Sequence, residues 1–421
     1  MDIRIKPSNL HGDISVPASK SICHRAIICA SLSNGKSTLS NISLNDDISA
    51  TIQAMQQIGA HIHLQDHQCI VEGIHSPTIT DSIFNCNESG STLRFLIPIV
   101  ATTSNTIRFI GKGRLLKRPM QIYQNLFNEQ NLLFQQTSNQ ILLRGPLQAG
   151  TYTIPGNISS QFISGLLMAL PLINEQSRLE VIEPFESKSY VKLTTDMLEA
   201  FGVHILAQSN TFVISKEQTY HSNDISIEGD YSQFAFFAVL ASLTKPITLK
   251  NMNIHSHQGD RIILDFLRNA GISIQILEDA ITVFPSKPKA QIFDLSNCPD
   301  LGPILCVLAS FSNGTSHFIH AKRLRMKESD RIQAIETELK KWGVSIQTTE
   351  DTITIQGKTH YDYDSSLILD SHNDHRIAMA MTVMALSNQS TCVIRNTECI
   401  NKSYPNFFDD IQKIHGSIEH L

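Results

Sequence analysis

The chain has 421 residues, 41% of them hydrophobic and 17% charged, with a formal net charge of −5. That composition excludes a disordered chain, and the mild acidity argues against a general nucleic-acid binder. At about 150 residues per domain, the length allows two or three domains.

The predicted elements repeat along the chain. A small or polar helix start followed by an apolar helix occurs six times. The segments are SKSICHRAIICASLS from Ser19, SGSTLRFLIPIVATT from Ser89, SSQFISGLLMALPLI from Ser159, YSQFAFFAVLASLTK from Tyr231, DLGPILCVLASFSNG from Asp300 and NDHRIAMAMTVMALS from Asn373. The starts lie 70, 70, 72, 69 and 73 residues apart. A β-branched strand is predicted after each helix: STLSNI, TIRFI, SRLEVI, PITLKN, TSHFIH and TCVIRN. A polar loop and a second, amphipathic helix follow. Five second helices run into a glycine (Gly59, Gly202, Gly271, Gly343 and Gly416), the residue expected to take a left-handed cap. The second copy departs and ends near Gln130.

Another strand precedes each first helix. GDISVP (12–17) and GTYTIP (150–155) are near twins, and DSIFN, DISIEG, QIFDL and SSLILD fill the other four places. The unit reads β-α-β-α-β-β, and such alternation implies α/β layers. First-helix cores such as FLIPIVA and LLMALPL are apolar nearly all round, so they are predicted to be buried. One unit cannot bury such a helix, but three around a shared core can. Six units therefore predict two α/β domains of three repeats each.

No run of about 18 uncharged apolar residues is present, so no transmembrane helix is expected. The opening MDIRIKPSNLHGDISV has no apolar signal core, and the eight cysteines include no C-x-x-C. Reduced thiols and a cytoplasmic location are expected.

Charge is distributed against the usual helix preference. Acidic residues normally favour helix N-termini. Here Lys20, His24 and Arg25 open one first helix, Arg94 sits early in another, and His375 and Arg376 open the sixth. Arg114, Lys117 and Arg118 lie in GKGRLLKRP, Lys327 and Arg331 in RLRMKESDR, and Lys402 in NKSYP. One such cation alone reads as solvated surface charge. The whole set, at equivalent places in related repeats, reads as a site for a small polyanion. The starts SKS, SGS and SSQ add hydroxyl and N–H donors, though each also reads as an N-cap. Asp300 and Glu328 stand among the cations as general acid or base candidates, against the plainer readings of a cap and a surface ion pair.

Other signals fail. SNGKST resembles the end of a phosphate-binding P-loop, but Ala30 stands where glycine is needed and a strand follows. His61, His63 and His67 fit a strand surface better than a metal site, and His255 with His257 lack a third ligand.

Together, PASKSICHRAIICASL, ESGSTLRFLIP, KGRLLKRPM, PGNISSQFISGLLMALP, ESKSY, EGDYSQ, RLRMKESDRI, NDHRIAMAM and NKSYP resemble, in order and over essentially the whole chain, the EPSP synthase family of enolpyruvyl transferases. The resemblance implies two three-repeat domains of inside-out α/β barrel type. Residues 18–228 would form one domain and residues 1–17 plus 229–421 the other, with the active site in the cleft between them. It implies transfer of the enolpyruvyl group of phosphoenolpyruvate to the 5-hydroxyl of shikimate 3-phosphate with release of phosphate. Lys20, Ser21, Arg25, Ser159, Ser160, Gln161, Ser187, Tyr190, Asp300 and Lys327 would bind shikimate 3-phosphate. Lys20, Gly90, Arg118, Gln161, Arg331, Arg376 and Lys402 would bind phosphoenolpyruvate. Asp300 would be the base for the 5-hydroxyl and Glu328 the proton donor, with Lys20 assisting. No metal or organic cofactor, nucleic-acid partner or membrane partner is implied, and a monomer inhibited by glyphosate is expected.

The chain departs from part of the family at Glu88, where many members have asparagine, and at Ser91, where they have threonine. Arg323 occupies a site that is asparagine in some members, and Phe95 one that is proline in some glyphosate-sensitive members. Three rival readings remain. An enolpyruvyl transferase acting on UDP-N-acetylglucosamine usually carries a cysteine in the loop before R-P, and Gly111 to Arg118 contains none. A non-catalytic anion-binding protein on the same scaffold would have no need of Lys20, Asp300 and Glu328. RNA 3′-phosphate cyclase shares related repeats but requires ATP.

Overall fold

The computed structural model describes residues 1–364 and 367–421. Ser365 and Ser366, which begin the predicted strand SSLILD, lie outside the described residues. Among the described residues the helices are α1 (Lys20–Leu32), α2 (Asp46–Gln57), α3 (Gly90–Val100), α4 (Gln121–Glu129), α5 (Ser160–Ala169), α6 (Lys188–Ala200), α7 (Tyr231–Leu243), α8 (Ile263–Asn269), α9 (Gly302–Ser310), α10 (Arg331–Lys341), α11 (His375–Ser387) and α12 (Phe407–Lys413). The odd-numbered helices are the six apolar ones read from the sequence.

The chain divides into two compact units: Met1–Pro17 with Glu228–Leu421, and Ala18–Ile227. Among the described residues, each contains three four-stranded sheets and its own hydrophobic core. In the discontinuous unit α11 packs on α7 and α9, and α7 packs on α9. In the continuous unit α3 packs on α5, while α1 packs on α2 and α6. Burial of the first helices is close to complete: in α7 every residue from Tyr231 to Ser242 is buried. Each large apolar side chain so removed from water contributes about 1.5–3 kcal/mol.

Within a repeat, the strand before the first helix pairs parallel with the strand after it, and a hairpin completes the sheet. Ile83–Asn85 pairs with Thr106–Ile110, for example, and the latter pairs antiparallel with Ile141–Arg144. Two repeats do not keep their own leading strand, which corrects the contiguous unit expected from sequence. Gly12–Ser15 leads into α1 but pairs with Ile247–Lys250, the strand after α7. Ile225–Ser226 leads towards α7 but pairs with Lys36–Ser40, the strand after α1. The N-terminal strand Ile3–Lys6 lies between Cys392–Arg395 and Ser417–His420 and completes the sixth sheet. The physical reason is chain crossing: the backbone passes between units just after one leading strand and just after the other, so each strand stays with the unit it leaves.

Four of the five expected glycine caps take left-handed backbone, with φ of +115° at Gly59, +80° at Gly202, +81° at Gly271 and +75° at Gly343. The fifth is corrected. His415 takes the left-handed position (φ +66°). Gly416 is instead a close-packing site, since a Cβ there would meet Ile411 Cγ2 at 2.2 Å.

Candidate active site

In the continuous unit, four helix starts (α1, α3, α5 and α6) and one loop carry the candidate residues. Lys20, the first residue of α1, donates to Asp47 Oδ2 at 2.7 Å, and Asp47 lies in the first turn of α2. Arg25 is buried, and its guanidinium donates to Ser21 O at 2.6 Å, Tyr190 O at 3.0 Å, Thr194 Oγ1 at 2.7 Å and Ser164 Oγ at 3.2 Å. It therefore ties α1 to α5 and α6 and fixes the backbone of two other candidates, Ser21 and Tyr190. Burial lowers its pKa to about 10, still a cation at neutral pH.

Ser89 caps α3 by accepting from Thr92 N, and Ser159 caps α5 by accepting from Gln161 N. Arg94 Nη1 donates to Gln161 Oε1 at 2.6 Å, and Gln161 Nε2 donates to Ser91 Oγ at 2.9 Å. Gly90 is where these groups meet Arg118: a Cβ there would lie 2.7 Å from Arg118 Nη1 and 3.3 Å from Arg94 Nη1. Ser160 is buried beside the Ser159 cap. Ser187, also buried, takes φ +53° just before α6. The Glu88 carboxylate lies against Gly113, leaving no room for a side chain there.

A buried hydrogen-bond chain stitches the helix starts together: His24 Nδ1 to Thr51 Oγ1, Thr51 Oγ1 to Thr92 Oγ1 and Thr92 Oγ1 to Ser89 Oγ, each at 2.7 Å. Burial, reinforced by Lys20 and Arg25, holds the His24 imidazole well below its ordinary value of about 6.5. The folded protein thus keeps it neutral where the unfolded chain takes a proton. Its contribution to stability is present above about pH 6.5 and falls by about 1.4 kcal/mol per unit as pH drops below that value. His24→Asn is expected to remove this slope. Denaturant titrations between about pH 5 and 6.5 check it, and equal slopes in the two proteins would contradict it.

In the discontinuous unit the candidates form one ion-pair cluster. Arg331, the first residue of α10, is 1% exposed. It donates to Asp300 Oδ1 at 2.9 Å, to Glu328 Oε2 at 2.7 Å and to both Asp374 oxygens at 2.7 and 3.2 Å. Lys327 Nζ reaches Asp300 Oδ1 at 3.1 Å, and Arg376 Nη2 reaches Asp300 Oδ2 at 3.2 Å. Lys402 Nζ donates to Asn373 O at 2.9 Å, and Arg323 Nη1 to Ser296 O at 3.2 Å. Burial alone would raise the Asp300 carboxyl, but Arg376, Lys327 and Arg331 outweigh it and hold the group well below the usual carboxylate range. Asp374 is likewise held low, burial being outweighed by Arg331. Asp300 is not a cap: it lies in the turn Pro299–Leu301 before α9, and its carboxylate goes to the cations.

The units differ in how their first helices begin. α3 and α5 are capped by serines, which leave the helix starts without negative charge. α7 and α11 are capped by Asp230 and Asp374, and Asp300 precedes α9. One unit therefore presents neutral hydroxyl caps at these helix starts, and the other carboxylates.

Two of the cations, Lys20 and Arg331, are balanced by carboxylates of their own unit. Asp47 neutralises Lys20, and Asp374 with Asp300 and Glu328 neutralises Arg331. Sequence reasoning passed over Asp47, Asp374, Ser164 and Thr194. Asp47 had a local signal, since it follows the Asn45 cap in an acidic first turn. Among the described residues no group of three or more His, Cys, Asp or Glu side chains could hold a metal ion, and no helix is long and apolar enough to cross a membrane.

A family model for EPSP synthase (3-phosphoshikimate 1-carboxyvinyltransferase) matches residues 5–411. The chain is 42% identical to the 3-phosphoshikimate 1-carboxyvinyltransferase of Clostridium kluyveri over 99% of this chain and 98% of that one. It is 39% identical to the enzyme of the same name from Clostridioides difficile, with the same coverage. Among solved structures, an EPSP synthase from Acinetobacter baumannii matches with TM-score 0.82 at 25% identity, covering 99% of both chains. The enolpyruvyl transferase NikO from Streptomyces tendae shares the fold, with TM-score 0.80 at 15% identity over 100% of this chain and 98% of that one. The six-repeat α/β fold, the match over nearly the whole chain and the relatives above 30% identity agree: the chain belongs to the EPSP synthase family.

Proposed function

We propose that this chain transfers the enolpyruvyl group of phosphoenolpyruvate to the 5-hydroxyl of shikimate 3-phosphate, releasing phosphate, in the shikimate route to aromatic amino acids. The observation that carries the residue assignment is the convergence of Lys327, Arg331 and Arg376 on Asp300, with Glu328 on the same Arg331 guanidinium. Lys327, Asp300 and, from the continuous unit, Lys20, Ser21, Arg25, Ser159, Ser160, Gln161, Ser187 and Tyr190 serve shikimate 3-phosphate. Arg331, Arg376 and Lys402, with Lys20, Gly90, Arg118 and Gln161, serve phosphoenolpyruvate.

The chemistry follows from charge. Asp300 and Glu328 occupy the cations. An arriving phosphate or carboxylate competes for those cations, which weakens their hold on Asp300 and raises its affinity for a proton. The base is thus activated by the substrate it serves. The 5-hydroxyl oxygen bonds to C2 of phosphoenolpyruvate and its proton goes to Asp300, while C3 takes a proton from Glu328, which binds one from solvent once the substrate anion displaces it from Arg331, with Lys20 assisting. The resulting ketal phosphate loses a proton from the new methyl group to the Glu328 carboxylate as its C–O bond to phosphate breaks, and the leaving phosphate takes the proton held by Asp300, giving the enol ether and phosphate. Fixed cations around the phosphates stabilise the charge that shifts during both steps.

A UDP-N-acetylglucosamine acceptor is disfavoured by the cysteines. All eight are buried, and burial pushes seven of the thiols up, among them Cys69 to about 11 and Cys392 to about 12. Phosphate release with phosphoenolpyruvate and either acceptor tests the assignment: turnover is expected with shikimate 3-phosphate, and turnover with UDP-N-acetylglucosamine alone would overturn it.

Gly90 gives a further expectation. The methyl group of Gly90→Ala would press on Arg118 Nη1, a proposed phosphoenolpyruvate ligand, so the substrate as well as glyphosate should bind less well. KM for phosphoenolpyruvate is expected to rise about three- to tenfold, and the glyphosate inhibition constant to rise further because the inhibitor is longer. Inhibition series at several phosphoenolpyruvate concentrations check this. An equal rise in both constants would place the whole effect on Arg118.

A further inference from the structure

Glu338 is a buried carboxylate outside the ion-pair cluster. It lies seven residues after Arg331, two turns or about 10 Å along the same face of α10. Its Oε1 accepts from His372 Nε2 at 2.8 Å and from Lys341 Nζ at 3.0 Å; its Oε2 accepts from Lys341 Nζ at 2.8 Å and from Asp370 N at 3.0 Å. All four bonds are satisfied within α10 and the turn that leads into α11.

That turn is where the site's geometry is set. His372 and Asn373 are consecutive left-handed residues, φ +53° and +54°, a conformation that persists where the surroundings impose it. Asp370 Oδ1 accepts from His372 N at 2.6 Å, and Asn373 N donates to Ser371 Oγ at 3.1 Å. The next atoms belong to the site. Asn373 O holds Lys402, Asp374 holds Arg331, and Arg376 reaches Asp300. α10 therefore grips one turn at two points, with Arg331 on Asp374 at its start and Glu338 on His372 and Asp370 near its end.

We propose that Glu338 and His372 are positioning residues for phosphoenolpyruvate binding: their ion pair holds the Asp370–Asp374 turn against α10 and so sets where Arg376 and Lys402 stand. This rests on the reading of Arg376 and Lys402 as phosphoenolpyruvate ligands. The groups facing His372 are Glu338 and Lys341 on α10 and Asp370 in its own turn. The hydrogen bond to Glu338 raises the His372 pKa above its ordinary value, against burial and Lys341. The charged pair is therefore complete below about pH 6.5 and is lost as pH rises through the raised value. Phosphoenolpyruvate binding should weaken over that interval, while shikimate 3-phosphate binding should not.

The test uses two variants that both tolerate the turn. His372→Asn favours left-handed backbone but is too short to reach Glu338. His372→Gln places an amide near the position of Nε2 and carries no titrating charge. KM for each substrate and kcat are measured from about pH 6 to 9, with Arg376→Lys in parallel. His372→Asn is expected to raise KM for phosphoenolpyruvate about tenfold and to leave that for shikimate 3-phosphate within about twofold. His372→Gln is expected to restore most of the affinity and to abolish the alkaline fall in kcat/KM for phosphoenolpyruvate. If Arg376→Lys raises that KM while His372→Asn leaves it unchanged, or raises both substrates' KM alike, the positioning role is overturned. An Arg376→Lys enzyme with unchanged KM would instead overturn the ligand reading beneath it.

Discussion

Asp300→Asn should lower kcat by about 10²-fold or more, the scale of general acid–base loss, without raising KM for phosphoenolpyruvate. Asparagine keeps the shape of the side chain but cannot take the hydroxyl proton. It also removes one of the three carboxylates, Asp300, Glu328 and Asp374, that face Lys327, Arg331 and Arg376. The cations then carry an excess positive charge, so an anionic substrate should bind at least as tightly. A lower kcat with an unchanged or lower KM is therefore the signature of a lost base, whereas a lost ligand would raise KM. Glu328→Gln should behave similarly, since it too frees Arg331 while withholding a proton. Steady-state kinetics with shikimate 3-phosphate saturating decide the matter. Near wild-type kcat in both variants would sink the proton-transfer assignment.

What the sequence made legible was local. The six odd-numbered helices announce themselves because they are apolar all round, a pattern that needs no partner to be read. The strands after them follow from β-branched runs. Gly59, Gly202, Gly271 and Gly343 follow from helix ends. Gly416 misled because the same local pattern also suits a close contact, here with Ile411, and nothing nearby separates the two. The leading strands misled for a different reason. GDISVP and GTYTIP are near twins, yet Gly12–Ser15 pairs with a strand more than 230 residues away, and strand pairing leaves no mark in a six-residue window.

The same division runs through the site. Cations at helix starts were visible, but what balances them was not. Asp47 is 27 residues from Lys20, and Asp374 is 43 from Arg331. Gln161 appeared in the SSQ helix start and as a substrate ligand by resemblance, and its bond to Arg94, 67 residues away, exists only once α3 and α5 pack. The family resemblance supplied roles for the cations but was silent on Glu338 and His372, which touch no proposed substrate and emerge only from the fold.

Arg331 carries the largest expected effect on stability. Its guanidinium is buried and is the common partner of Asp300, Glu328 and Asp374. Those three carboxylates raise its pKa despite burial. Arg331→Met fills similar space without charge and takes from three carboxylates the guanidinium they share. Breaking a buried pair in this way costs about 3–5 kcal/mol, because the abandoned charges stay buried. Arg331→Lys keeps the charge but lacks the fork that reaches three partners, so it should lie between the wild type and the methionine variant. The pH dependence separates charge from packing. In the wild type, Asp300 and Asp374 are held low and stay ionised. In Arg331→Met the Asp374 pKa should rise above the unfolded value of about 3.9, while Arg376 and Lys327 still hold Asp300 low. A carboxyl raised in the folded state gains stability as pH falls through its folded value. The stability gap between Arg331→Met and wild type should therefore narrow from about pH 7 towards pH 5. Denaturant midpoints across that interval measure it. A gap that stays constant would mean that lost packing, rather than stranded charge, accounts for the cost.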